Sequence, residues 1–364
     1  MLAVFALSGM ALAETNAPGA VYTMTNSPMG NSILVFDRAV DGTLTEAGSY
    51  ATGGTGTGEG LGNQGAVVLS QNDRWLFTVN AGSSEISVFA VEPGGLSLVD
   101  IIDSGGMRPI SLTVDRNLLY VLNAGGSVGD ADNISGFIVA EDGTLSPLPD
   151  STRPLSSDTT APAQIGFTPD GSVLVVTEKA TNNILTYTVG QDGYAADPTV
   201  FASVGTTPFG FAFGKRGQLF VSEAFGGTPD VSAVSAYIVS PDGDLEVVSP
   251  SVGNLQTAAC WVIVTNGGRF AYDTNTGSGS ISGYSISFDG TISLLDADGR
   301  TGVTGDGTAP LDMALSINGQ YLYTLNGGNE TISAFRVNGK GGLTLIAADA
   351  IVGLPDRSNG LAAR

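Results

Sequence analysis

At seven places along the chain, a run of aliphatic and aromatic residues ends in a polar residue and a short loop leads into another such run. Leu76-Phe77-Thr78-Val79-Asn80 leads to Ile86-Ser87-Val88-Phe89, and Leu322-Tyr323-Thr324-Leu325-Asn326 leads to Ile332-Ser333-Ala334-Phe335. The other junctions fall at Asn26, Asn123, Glu178, Glu223 and Asn275, with successive spacings of 43 to 55 residues. A repeat of this length, made of short β-rich runs and tight turns, is the signature of a four-stranded propeller blade. One blade cannot bury both faces of its sheet, so the blades must stack radially around a channel.

The turn residues agree. Asp41-Gly42, Gly94-Gly95, Asp142-Gly143, Asp192-Gly193, Asp242-Gly243, Asp289-Gly290 and Gly341-Gly342 fall between third and fourth strands, where glycine supplies the positive φ of a tight hairpin. Asn72-Asp73, Asp170-Gly171, Arg216-Gly217, Asn266-Gly267 and Asn318-Gly319 separate first from second strands. The expected fold is all-β: one seven-bladed β-propeller domain over residues 14–364. Ala20-Val21-Tyr22 reads as a second strand with no first strand before it. Ser358-Asn359-Gly360-Leu361-Ala362-Ala363 resembles the inner strand Pro310-Leu311-Asp312-Met313-Ala314-Leu315. The C-terminal segment is therefore predicted to supply the innermost strand of the first blade, closing the ring and removing two sheet edges.

Composition narrows the chemistry. With 14 Lys and Arg against 35 Asp and Glu, the net charge of −21 repels nucleic acid and anionic membrane surfaces, and neither is expected as a partner. The chain has no histidine, which removes His-dependent triads, imidazole bases and His-ligated metals. Its single cysteine, Cys260, reads as buried and inert. Catalysis would rest on carboxylates, Arg, Lys, Tyr or water, and no cofactor or metal is expected. Met1 to Ala13 is an apolar run ending in Ala11-Leu12-Ala13, too short to span a bilayer and patterned like the core of a secretory signal. Export to the periplasm or cell exterior, as a monomer, is the expectation. Gly60-Leu61-Gly62-Asn63-Gln64-Gly65 matches G-x-G-x-x-G but precedes a strand rather than opening a helix, so it is not read as a nucleotide loop. Asp130-Ala131-Asp132-Asn133 lacks the further oxygens of a calcium loop.

Strand alternation puts the starts of inner strands and the ends of second strands on one face. That gathers Gln64, Arg108, Gln164, Phe209, Trp261, Asp312 and Asn359 with the seven junction residues at one mouth of the channel. The asparagines suit strand-to-loop exits, where their side chains bond the local backbone. Glu178 and Glu223 suit either acid–base work or the role of solvated charges paired with Lys179 or Arg108. Arg108 suits recognition of a carboxylate or phosphate, or local charge compensation. Trp261 suits stacking on a ring or packing in the channel.

Asn63-Gln64-Gly65-Ala66-Val67-Val68-Leu69-Ser70 with Trp75-Leu76-Phe77-Thr78-Val79-Asn80-Ala81-Gly82 resembles the seven-bladed lactonase propellers. So do Val176-Thr177-Glu178-Lys179-Ala180-Thr181-Asn182 and Cys260-Trp261-Val262, followed by Asn275-Thr276-Gly277-Ser278-Gly279. That family includes 6-phosphogluconolactonase and the propeller-type carboxymuconate cyclase, and the resemblance spans about residues 20–363. It implies a Glu at a second-strand end, matched by Glu178, and an Arg opening an inner strand, matched by Arg108. The family's inner-strand His has no counterpart, and Glu223-Ala224 stands where its next second-strand Arg is expected. The implied activity is hydrolysis of a small lactone or cyclic ester. Glu178 would activate water and Arg108 would orient the substrate, with Gln64, Lys179, Glu223, Trp261 and Asp312 contacting it. The alternative is a non-catalytic secreted propeller that binds a glycan, peptide or protein on the same face.

Overall fold

The computed structural model describes residues 18–364, and the segment read as an export signal lies outside them. Seven antiparallel sheets form the blades of a ring, each with at least four strands. The inner strands are Asn359–Ala363 for blade 1, then Val67–Leu69, Pro109–Asp115, Pro162–Phe167, Pro208–Phe213, Ala259–Val264 and Pro310–Leu315 for blades 2 to 7. Blades 3 and 6 add a short fifth strand, Arg153–Pro154 and Gly302–Val303. Two three-residue 3₁₀ turns, Gly125–Ser127 and Phe225–Gly227, are the helical content among the described residues.

Second strands are sandwiched between neighbouring blades, and their residues are apolar almost without interruption. Trp75–Asn80, Val173–Glu178, Gln218–Glu223 and Tyr321–Asn326 are buried along their whole length. Outer strands such as Leu44–Ala51 face solvent and carry the polar residues. In blades 3, 6 and 7 a tyrosine hydroxyl locks the blade to the next one's hairpin. Tyr120 donates to the Gly193 carbonyl at 2.9 Å, Tyr272 to Gly341 at 2.8 Å and Tyr323 to Gly42 at 2.8 Å. The hairpin glycines 42, 143, 193, 243, 290 and 341 all sit at φ between 85° and 91°, a conformation side chains rarely adopt. At Gly42 a Cβ would also lie 2.4 Å from the Tyr321 ring, so both backbone and packing require glycine there.

The predicted closure is present. Asn359–Ala363 pairs antiparallel with Gly19–Met24, placing Val21 opposite Ala363 and Met24 opposite Asn359. Arg364 N–H donates to the Ala20 carbonyl at 2.9 Å, and the Thr23 hydroxyl donates to the Gly360 carbonyl at 2.7 Å. Leu361 N–H reaches the Asp312 carboxylate at 3.1 Å, tying this strand to blade 7 as well.

Candidate active site at the plugged channel mouth

The loop entering blade 2 lies across the mouth. Asn63 donates its amide to the Ile110 carbonyl in blade 3, and Gln64 N–H donates to the Ala163 carbonyl in blade 4 at 3.0 Å. The Gln64 amide crosses to blade 6, donating to the Val262 carbonyl at 2.8 Å and accepting Val262 N–H at 3.1 Å. Trp261 Nε1–H donates to the Asn63 carbonyl at 2.7 Å. Gly210 leaves room for the crossing, because a Cβ there would come within 2.1 Å of Gln64 Oε1. Residues 59–65, whose glycine pattern was not read as a nucleotide loop, form a hydrogen-bonded plug.

Two cations border this plug. Arg108 precedes its inner strand at φ 56° and is 18% exposed. Among the described residues its guanidinium has no hydrogen bond, only an ion pair at 3.9 Å with Glu59, which is 74% exposed. Lys179 follows the second strand of blade 4 and donates its ammonium to the carbonyls of Gly62 and, at 3.0 Å, Pro162. The ammonium also lies 4.8 Å from the centre of the Phe209 ring. Burial draws the Lys179 ammonium down to about 8, with the nearby Arg108 charge acting in the same direction. Phe209 and Trp261 pack at 4.9 Å between ring centres beside it, both buried. Cys260 is buried in the same cluster, and desolvation pushes its thiol up to about 12.

The junction carboxylates are shielded from the mouth. Glu178 is fully buried, with Oε1 accepting Ser156 N–H at 2.9 Å and Oε2 accepting the hydroxyls of Ser156 and Thr181, each at 2.5 Å. Glu223, also fully buried, accepts Gly205 N–H at 2.9 Å, the Ser235 hydroxyl and the Ser251 hydroxyl at 2.5 Å. Desolvation raises the Glu223 pKa, and these three hydrogen bonds oppose it. Neither carboxylate pairs with Lys179 or Arg108 among the described residues. The asparagines do the same with amides: Asn80 accepts the Thr52 hydroxyl at 2.7 Å and donates to Ser87 Oγ at 2.7 Å. At Asn80, Glu178 and Glu223 the second-strand end is stapled to the segment leaving the preceding blade.

The structure thus brings Arg108, Lys179, Trp261 and the Gln64 plug to one mouth. Glu178 is separated from solvent by the partly exposed Ser156 and Thr181 hydroxyls, whereas Glu223 is enclosed by Ser235 and Ser251 on the third and outer strands of blade 5. Asp312 lies with Gln64 on the wall of the axial cavity instead, its carboxylate accepting Met313 N–H at 2.9 Å and Leu361 N–H at 3.1 Å. Burial pushes its pKa up to about 7. Glu59 and Asn63 are mouth residues that sequence reasoning missed. The signal was the linker of residues 52–66, far longer than those of residues 104–108, 203–207 and 254–258. In the acidic loop of residues 130–133, Asp132 caps Gly126 N–H at 2.8 Å and Thr160 N–H at 2.6 Å, spending its oxygens on backbone.

Comparison with known proteins fits this architecture. The family model for lactonase, 7-bladed beta-propeller, matches residues 20–153, the first three blades. A 6-phosphogluconolactonase of Cronobacter sakazakii is 24% identical over 320 residues, covering 74% of this chain and 92% of that protein. The periplasmic gluconolactonase PpgL of Pseudomonas aeruginosa has a TM-score of 0.72 at 16% identity, covering 94% of this chain and 99% of its own. A Bacteroides fragilis structure described as a candidate 6-phosphogluconolactonase has a TM-score of 0.74 at 20% identity, covering 97% and 100%. The chain is thus a seven-bladed β-propeller whose first three blades match the lactonase family model and whose sequence is similar to a 6-phosphogluconolactonase.

Proposed function

We propose that the chain is a lactonase-like carboxylic-ester hydrolase that opens a small anionic lactone at the plugged mouth. The observation that carries this reading is the convergence of Arg108 and Lys179 on one mouth of a lactonase-like propeller whose net charge is −21. Arg108 has its guanidinium donors unspent and is screened from most solvent, the condition in which it holds a carboxylate or phosphate tightly. The buried Phe209 and Trp261 back Lys179 and hold its ammonium at the mouth. In the reaction, water adds to the lactone carbonyl and gives its proton through the Thr181 or Ser156 hydroxyl to Glu178. The ring C–O bond then breaks, and the ring oxygen leaves as an alcohol after taking a proton from solvent. Export, expected from residues 1–13, would put this hydrolase outside the cytoplasm.

A panel of lactones followed by pH indicator, with and without EDTA, tests the reading. We expect turnover of anionic lactones that survives EDTA. Arg108→Met should raise KM at least about tenfold, because truncating a charged hydrogen-bonding partner of a bound anion typically costs that much or more. Glu178→Gln should lower kcat by roughly 10²-fold, and Glu223→Gln should do less. Melting curves of both variants separate lost chemistry from lost packing. Full turnover in Glu178→Gln would remove the hydroxyl relay.

The Lys179 value gives a second expectation. Its charge is present below about pH 8 and lost above it, so KM for an anionic lactone should rise on the alkaline side. Lys179→Arg should move that limb to higher pH, since guanidinium stays charged. KM measured across the range, with spontaneous hydrolysis subtracted, checks this.

The second reading, a non-catalytic binding face, is favoured by the shielding of Glu178 and Glu223. Wild-type protein that turns over nothing on the panel, yet binds a sugar acid in a manner abolished by Arg108→Met, would establish it in place of the first.

A further inference from the structure

Below the plug, the inner strands of all seven blades line an open cavity whose walls include neither Arg108, Lys179 nor Trp261. Its two adjoining lobes measure about 340 and 350 Å³ and share Gln64, Phe211, Ala212, Phe213, Met313 and Leu361. That is within the size range of small-molecule sites. Its walls are mostly apolar, with Gln64, Thr113, Gln164, Asn266 and Asp312 as the polar side chains and no lysine or arginine among them. Ala212, Phe213, Val114 and Val264 remain partly exposed inside it.

The polar groups on the walls are already engaged. Gln64 spends its amide on Val262, and Gln164 donates to the Phe211 carbonyl at 3.0 Å while accepting Phe211 N–H at 2.6 Å. The Asp312 carboxyl accepts two backbone N–H groups. An anion would meet no cation here, and a sugar would find few free hydrogen-bonding partners. Phe213, partly exposed, is held edge to face at 5.5 Å against the buried Phe211 and offers its ring to the lumen.

We propose that this axial cavity is a second binding site, open on the face opposite the mouth, for a small uncharged aromatic molecule. It is independent of the proposed hydrolase site because the plug separates the two.

The probe is 2-naphthol, titrated into the whole protein by calorimetry and by its own fluorescence, with 2-naphthalenesulfonate as the charged comparison. Saturable one-to-one binding below about 1 mM is expected for a ligand of this size, with the sulfonate at least tenfold weaker. Ala212→Trp, which fills the space shared by both lobes, should abolish binding, and Lys179→Met at the mouth should leave it intact. Should Ala212→Trp fail to fold, Val264→Phe narrows the same lumen and should weaken binding at least tenfold. Absence of saturable naphthol binding by the wild type, equal binding of the sulfonate, or binding untouched by the folded lumen variant would each overturn the proposal. None of these outcomes bears on lactone turnover, which is measured separately.

Discussion

Deletion of residues 356–364 is expected to lower the melting temperature by on the order of 10 °C or more, or to leave the protein aggregated. The deleted strand is the whole innermost edge of blade 1. Without it the backbone of Gly19–Met24 loses its partner, and the Asp312 carboxylate loses the Leu361 N–H. Leu361 and Ala362, both buried, leave the core with it. Several backbone hydrogen bonds at about 1 kcal/mol each and one buried leucine amount to roughly 5 kcal/mol or more. Thermal melts and light scattering on the truncated and full chains decide the matter, and unchanged melting would mean that the ring closes by some other means.

Stability is expected to fall by a few kcal/mol as pH rises from about 4 to about 8, and Asp273→Asn should remove roughly half of that slope. Asp273 lies fully buried in Phe270–Asn275 of blade 6. Oδ2 accepts the Asn254 amide at 3.0 Å, while Oδ1 has no partner among the described residues. Ser282, opposite it in the ladder, gives its hydroxyl to the Gly299 carbonyl instead. Burial pushes the carboxyl up to about 8, against the hydrogen bond from Asn254. The folded protein therefore holds a proton that the unfolded chain releases near 4. The stabilisation is complete below that value and disappears as pH passes through about 8. Asp312, raised to about 7, and Glu223, raised by desolvation, add to the slope in the same direction, so the variant keeps a large share of it. The hairpin residues Asp41, Asp142 and Asp289 act oppositely but below this window, since Thr hydroxyls hold their pKa values down. Urea titrations at pH values across the window measure the slope, and an unchanged slope in Asp273→Asn would assign it to general charge repulsion instead.

The frame of the molecule was legible because its signals are local and repeated. A hairpin needs glycine at positive φ wherever it occurs, so the Asp-Gly pairs marked the blades one by one. The clasp was legible because Leu361 and its neighbours copy an inner strand. Side-chain direction at the second-strand ends was not. Glu178 and Glu223 stand at the correct height of the fold, but the hydroxyls of Ser156, Thr181, Ser235 and Ser251 claim their oxygens, and those serines and threonines are unremarkable in sequence. Asp273 was hidden for a related reason, since Tyr272-Asp273-Thr274-Asn275 reads as one more polar strand exit. The plug depends on a contact between residues 198 positions apart, Gln64 and Val262, which no local pattern announces.

That same crossing has a mechanical meaning. Gln64 is a chord that divides the ring into two arcs, one running through blades 2 to 6 and the other through blade 7 and blade 1 with the clasp. The long arc is fastened end to end by the chord, independently of the clasp. Strain that parts Gly19–Met24 from Asn359–Ala363 therefore frees the short arc first, while the five fastened blades stay together as a separate cooperative unit. Hydrogen exchange would find the amides of blades 1 and 7 opening ahead of the rest, so the ring gives way as a gate of two blades.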